Sequence, residues 1–195
     1  NKNEGTVRIE GMGTNYAVYL ATPQNFTNKS GAKITSTAGG GYAYGVMGYD
    51  TATITNETNA EIESISGYTS VGIDALTIQN AGTISASGGK ATGVCVRASG
   101  SVENSGQIEV TAESSTDQNK TFGNGILLNN NASATNKGNI NVTVTPEVSG
   151  YSAIGYGIGI GYGSSASGQT ILNDETGKIN VCVLSEAGTE DAAYG

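Results

Sequence analysis

One phrase returns seven times along this chain: an Asn, a small residue shortly after it, and a β-branched apolar residue two positions further on. The copies are Asn3-Gly5-Val7, Asn28-Ala32-Ile34, Asn56-Ala60-Ile62, Asn80-Gly82-Ile84, Asn104-Gly106-Ile108, Asn136-Gly138-Ile140 and Asn173-Gly177-Ile179. Self-similarity at a period of roughly 20–50 residues is the mark of a stacked repeat architecture. The phrase therefore argues for an elongated scaffold and against a compact enzyme.

Each unit also carries two further apolar pieces. The first piece is the strand of the phrase itself, as in Ile140-Asn141-Val142-Thr143-Val144, where alternation at period two marks a half-buried strand. The second opens on a small residue and stays apolar: Ala17-Val18, Gly45-Val46, Gly72-Ile73, Gly93-Val94, Gly125-Ile126 and Gly157-Ile158. The third is short and runs into the next Asn, as in Ile54-Thr55 and Val102-Glu103. Three strands and three corners per unit describe one coil. The reading is all-β: a single-stranded parallel β-helix (β-solenoid) of about six to seven coils, with residues 1–195 a single segment.

A lone strand of this kind cannot bury its inner face. Stacking coils at about 4.8 Å pairs every backbone group with the coils above and below, and like residues then form columns. Asn3, Asn28, Asn56, Asn80, Asn104, Asn136 and Asn173 are expected to make one such column. Asn tolerates the left-handed conformation at a corner, and its amide can bond along the stack as a ladder. The small residues two positions before each Ile or Val are expected where backbone turns tightly.

Successive phrase strands lie 27, 28, 22, 24, 32 and 39 residues apart. The shortest coil sets the core path, so segments 111–121, 145–153 and 161–170 read as excursions onto the outer surface. A second row, just before the small residue of the second strand, contains Tyr16, Tyr44, Val71, Thr92, Asn124, Tyr156 and Tyr194. If this row faces out, Tyr16, Tyr44, Tyr156 and Tyr194 flank a long strip that could contact sugars or a protein; otherwise they cover a Gly-rich corner.

Composition narrows the chemistry. Charged residues are only 13% and the net charge is −8, with arginine at positions 8 and 97 alone. Tracking phosphate needs a basic stripe, so nucleic acid is not an expected partner. No apolar run approaches a membrane-spanning helix, so direct membrane insertion is not expected either. The chain has no His, which removes Ser-His-Asp and Cys-His catalysis and most zinc sites. Cys95 and Cys182 lie three phrases apart, about 14 Å along the axis at the stacking step, too far for an internal disulfide. Glu63 and Glu109 would face out about 10 Å apart with Ser85 between them, near the limit for an inverting carboxylate pair. Nothing suggests a cleft, and a solvated acidic face is the better reading. No catalytic residue, metal site or cofactor is expected.

Runs such as Thr77-Ile78-Gln79-Asn80-Ala81-Gly82-Thr83-Ile84 and Val102-Glu103-Asn104-Ser105-Gly106-Gln107-Ile108-Glu109-Val110, with the intervening Tyr-Gly-Val and Tyr-Gly-Ile turns, resemble the repeats of bacterial autotransporter passenger domains. The resemblance covers essentially the whole chain. It implies a right-handed parallel β-helix, an adhesin exported to a bacterial surface, with a host glycan, matrix or cell-surface protein, or a copy of itself, as partner. It carries no active-site motif onto any position here. Because the chain opens inside a repeat and stops at Tyr194-Gly195, a fragment of a longer passenger is expected. The alternatives are a polysaccharide-degrading β-helix of the lyase or tailspike type, or a self-assembling extracellular fibre subunit.

Overall fold

The computed structural model describes residues 1–49, 52–114, 120–146, 152–161, 167–184 and 192–195, and among them every regular element is a β-strand. The strands form three faces of one stack, and all pairings between neighbouring turns are parallel. The first face holds β2 (Thr6–Gly11), β5 (Lys33–Ala38), the opening parts of β8 (Glu61–Asn80) and β9 (Thr83–Asn104), then β10 (Gln107–Ser114), β13 (Asn139–Pro146) and β16 (Lys178–Val183). The second face holds β3 (Asn15–Leu20), β6 (Tyr42–Gly48), the middle parts of β8 and β9, β11 (Lys120–Leu128), β14 (Ser152–Ile160) and β17 (Ala192–Tyr194). The third holds β1 (Lys2–Asn3), β4 (Asn25–Asn28), β7 (Thr53–Asn56), the last parts of β8 and β9, β12 (Ser133–Asn136) and β15 (Thr170–Asn173). The chain is a parallel β-solenoid.

Five turns are covered by a neighbour on both sides, while β1–β3 and β15–β17 are covered on one side only. The stack thus has about five fully covered turns, slightly fewer than the coils expected from the phrase count. The two shortest coils are traced by β8 and β9, each passing through all three faces as one unbroken strand of 20 and 22 residues.

The core is a set of columns. Ile34, Ile62, Ile84, Ile108 and Ile140 are in register and fully buried. Val46, Ile73, Val94 and Ile126 form the matching column under the second face, and Phe26, Ile54, Ile78, Val102 and Ala134 the one under the third. Burying each large aliphatic side chain contributes about 1.5–3 kcal/mol, so these columns supply most of what holds successive turns together.

Gly45, Gly72, Gly93 and Gly125 sit beside the central column for a packing reason. A Cβ on Gly45 would lie 2.5 Å from Ile62 Cγ2, and the same collision recurs for Gly72, Gly93 and Gly125 with Ile84, Ile108 and Ile140. The isoleucine of each turn fills the space vacated by the glycine of the turn before. Their φ angles are ordinary, so it is the close approach that demands glycine.

The corners after the ladder asparagines come in two lengths. The longer ones close with a backbone bond, Ala32 N–H to Lys29 O at 2.9 Å, Ala60 N–H to Glu57 O at 3.0 Å and Gly177 N–H to Asp174 O at 2.9 Å. The left-handed positions there are Gly31 (φ 77°) and Asn59 (φ 62°). None of the seven phrase asparagines has positive φ, which corrects the expectation of left-handed corners at those residues. The shorter corners at Gly82, Gly106 and Gly138 also keep ordinary φ. Glycine is required there because a Cβ would strike the carbonyl oxygen of the preceding turn.

Parts of the expected excursions fall within strands. Residues 111–114 belong to β10, 120–121 to β11, 145–146 to β13, 152–153 to β14, and Thr170 opens β15. Residues 161 and 167–169 are described and lie in no strand, while 115–119, 147–151 and 162–166 lie outside the described residues.

Candidate functional site

The first arrangement of interest is internal. Asn3, Asn28, Asn56, Asn80, Asn104, Asn136 and Asn173 end the strands of the third face, point inward and stand in register. Each Nδ2 donates to the Oδ1 of the next, at 2.9, 3.0, 2.9, 2.7, 2.7 and 2.8 Å in chain order. At Asn3, Asn28, Asn56, Asn80 and Asn136 the amide also donates to a corner or first-face carbonyl, for example Asn28 to Glu61 O at 2.9 Å and Asn56 to Thr83 O at 3.1 Å. From Asn28 to Asn136 the side chains are 0–2% exposed. Amides buried this deeply have to be hydrogen-bonded, and the ladder satisfies them. Their side chains are committed to one another and to backbone carbonyls.

The second arrangement is the outward side of the second face. Its strands kink where two consecutive residues, such as Gly45 and Val46, both point inward. Outward positions are therefore three apart there, and Tyr16 is followed by Tyr19 and Tyr44 by Met47. Tyr16, Tyr44, Val71, Thr92, Asn124, Tyr156 and Tyr194 form one outward row, in register turn by turn. Tyr16 and Tyr44 stack with ring centroids 5.0 Å apart and planes 17° apart; Tyr156 and Tyr194 stack at 5.0 Å and 10°. Tyr42 lies beside Tyr44 and meets Tyr68 edge-on, and Lys90 Nζ sits 5.6 Å from the Tyr68 ring centre. Burial, reinforced by the Asp74 carboxylate, pushes the half-buried Tyr44 phenol up to about 12. Tyr19, Tyr42 and Tyr68 extend the patch but were not in the row read from sequence. Only the register and the kink bring them next to Tyr16 and Tyr44.

The outward rows of the other faces are of different chemistry. On the first face they carry Thr35, Glu63, Ser85, Glu109 and Asn141 in one register row. Glu63 and Glu109 are separated by Ser85, as spacing predicts, but each is already engaged. Glu63 pairs with Lys33 at 3.3 Å, and Glu109 accepts from Asn141 Nδ2 at 2.8 Å. On the third face the outward row runs Thr27, Thr55, Gln79, Glu103, Thr135. A shallow groove of about 470 Å³ opens at its edge, between the longer corner at Glu57-Thr58 and the shorter corners at Ala81 and Ser105.

A hollow of about 500 Å³ on the corner between the second and third faces is lined by Asp74, Cys95, Arg97 and Asn129. Arg97 Nε donates to Asp74 Oδ1 at 2.8 Å, and its guanidinium lies 5.8 Å from the Tyr49 ring centre. Burial, with the neighbouring Asp74, pushes the Cys95 thiol up to about 12, so it stays protonated and unreactive at neutral pH. Cys182 is exposed on the first face, and both thiols are free. Among the described residues no group of His, Cys, Asp and Glu is arranged to hold a metal ion.

Comparison of the chain with family models, with curated proteins and with solved structures gives no match.

Proposed function

We propose that this solenoid is a structural and adhesive segment of a secreted bacterial surface protein, and that the tyrosine-lined second face makes its contacts. One observation carries the proposal. In an acidic chain whose other two faces carry mostly Thr, Ser, Asn, Gln, Glu and Lys, with exposed apolar side chains at Ile65 and, in the last turn, at Ile171, Leu172 and Leu184, the second face gathers Tyr16, Tyr19, Tyr42 and Tyr44 with Met47 into one patch. Tyr19 is 51% and Tyr42 41% exposed. Contiguous exposed aromatic surface rimmed by polar groups marks an interaction site. Tyrosine suits it because the ring buries apolar area while the hydroxyl keeps a hydrogen bond. Tyr44 is stacked on Tyr16 and beside Tyr42, so edges and hydroxyls, more than open ring faces, are offered outward. This favours a protein partner over a stacked sugar.

The scaffold supports the same reading. Parallel stacking gives a rigid rod with long flat sides, suited to display. The paired state of Glu63 and Glu109 on an open face gives no support to a hydrolytic alternative.

The test is attachment. Beads coated with the chain are applied to an epithelial monolayer, with and without periodate treatment of the cells. Tyr19→Ser/Tyr42→Ser is expected to lower attachment several-fold, Glu63→Gln/Glu109→Gln to leave it unchanged, and periodate to have little effect. Attachment unaffected by the tyrosine pair overturns the assignment of the face. Loss on periodate alone moves the partner from protein to glycan, and bead clumping without cell attachment points to a second copy of the chain.

A further inference from the structure

We infer that Tyr16–Tyr44 and Tyr156–Tyr194 are sites of oxidative tyrosine cross-linking, each pair joining two adjacent turns of the solenoid by a covalent bridge. The inference is independent of whether the second face binds a partner.

The geometry singles out these pairs. Register fixes each tyrosine directly over its partner in the neighbouring turn. The rings are near-parallel at 17° and 10° with centroids 5.0 Å apart, close to the stacking step itself. Among the described residues the competing contacts are less well placed. Tyr16–Tyr19 is tilted at 44° within one strand, Tyr42–Tyr68 is edge-on at 79°, and the Tyr42–Tyr44 centroids are 6.4 Å apart. Tyr16 and Tyr194 are exposed, at 38% and 52%, so an oxidant in solution reaches one ring of each pair directly. Stacking lets the second ring follow without a large movement.

The reaction balances with a peroxidase-type oxidant and hydrogen peroxide. Each phenol loses one electron and its hydroxyl proton to give a phenoxyl radical. The two radicals join through ring carbons ortho to oxygen, forming one C–C bond. The hydrogen on each of those carbons then returns to its own oxygen as aromaticity is restored. The product keeps both hydroxyls and is lighter by two hydrogens, while one peroxide takes up two electrons and two protons to become two waters. The bridges tie β3 to β6 and β14 to β17. They close loops between residues that would otherwise separate on unfolding, and a cross-link of that kind stabilises by restricting the unfolded chain.

The experiment treats the dilute, folded chain with horseradish peroxidase and hydrogen peroxide. The readouts are dityrosine fluorescence, tryptic mass spectrometry and the urea midpoint. The expected result is a monomer carrying two cross-linked peptide pairs, 9–29 with 34–90 and 138–178 with 179–195, each lighter by two hydrogens, and a higher midpoint. Tyr194→Phe should remove the second pair and keep the first; Tyr16→Phe should do the reverse. Phenylalanine preserves the stacking, so loss of fold does not confound the result. Oxidation in urea should scatter the products. Intermolecular dimers alone, cross-links at other tyrosines in the folded chain, or an unchanged midpoint overturns the inference.

Discussion

Replacing Asn104 by Ala tests whether the inward amides hold the stack together. Asn104 is fully buried in the middle of the row, accepts from Asn80 Nδ2 at 2.7 Å and donates to Asn136 Oδ1 at 2.7 Å. The substitution removes both bonds. Asn80 keeps its bond to Gln107 O at 3.2 Å, so its loss is partial, but Asn136 Oδ1 is left without its donor in a sealed interior. An orphaned buried polar group costs about 1–3 kcal/mol, and the void left by the amide adds to this, giving about 3–5 kcal/mol in all. Two neighbours calibrate the figure. Asn173→Ala, at the exposed last position, loses one such bond and should cost about 1 kcal/mol. Asn141→Ala removes amides that bond in the same cross-turn fashion on the solvent side, to Glu109 and from Asn180, and should cost no more than about 0.5 kcal/mol because water replaces what is lost. The assay is urea unfolding followed by far-UV circular dichroism, with the m-value compared among variants, because repeat arrays can lose two-state behaviour. Asn104→Ala indistinguishable from Asn141→Ala would refute the reasoning and return the asparagines to the role of corner residues.

Three further outcomes concern other groups in the fold. Ser70 Oγ is buried without a hydrogen-bond partner, and its register neighbours are Ala43 and Ala91; Ser70→Ala should therefore be neutral or stabilising by up to about 1 kcal/mol in the same urea assay, and a clear loss would show that the hydroxyl has a partner. Alkali should act through Cys95 and Tyr44, both of whose folded values are raised, from 9.0 and 10.0 respectively to about 12. The folded state holds these groups neutral, so their contribution is fully present below about pH 9 and is lost as pH rises toward 12. Tm measured from pH 8 to 12 should fall over that window, and maleimide at neutral pH should label Cys182 well before Cys95; equal labelling would show that the Cys95 thiol is open to solvent.

The periodicity made the architecture legible because in-register stacking repeats both side-chain chemistry and backbone path. Asn80 and Asn104 had to align once Ile84 and Ile108 did. What spacing could not separate was two reasons for a small residue. Gly31 occupies a corner with positive φ, whereas Gly93 and Gly106 are forced by atoms of another turn, and a collision across turns leaves no local trace in sequence. The same limit explains the misplaced left-handed corner. Asn is suited to that conformation, but at Asn56 the side chain is committed inward to the ladder, so Asn59 takes the positive φ. The outward tyrosine row was readable at Tyr16, Tyr44, Tyr156 and Tyr194 because each precedes the small residue. Tyr19 and Tyr42 were not, since strict alternation fails at the paired inward residues Gly45 and Val46.

The amide row has a direction. All six side-chain bonds donate toward the higher-numbered turn, so the small dipoles add head to tail, as peptide units do in a helix. Turning a single amide over would set donor against donor on one side and acceptor against acceptor on the other. The orientation is therefore a collective choice: reversing it means turning the whole string, and the interior keeps one electrical polarity, positive toward Asn173.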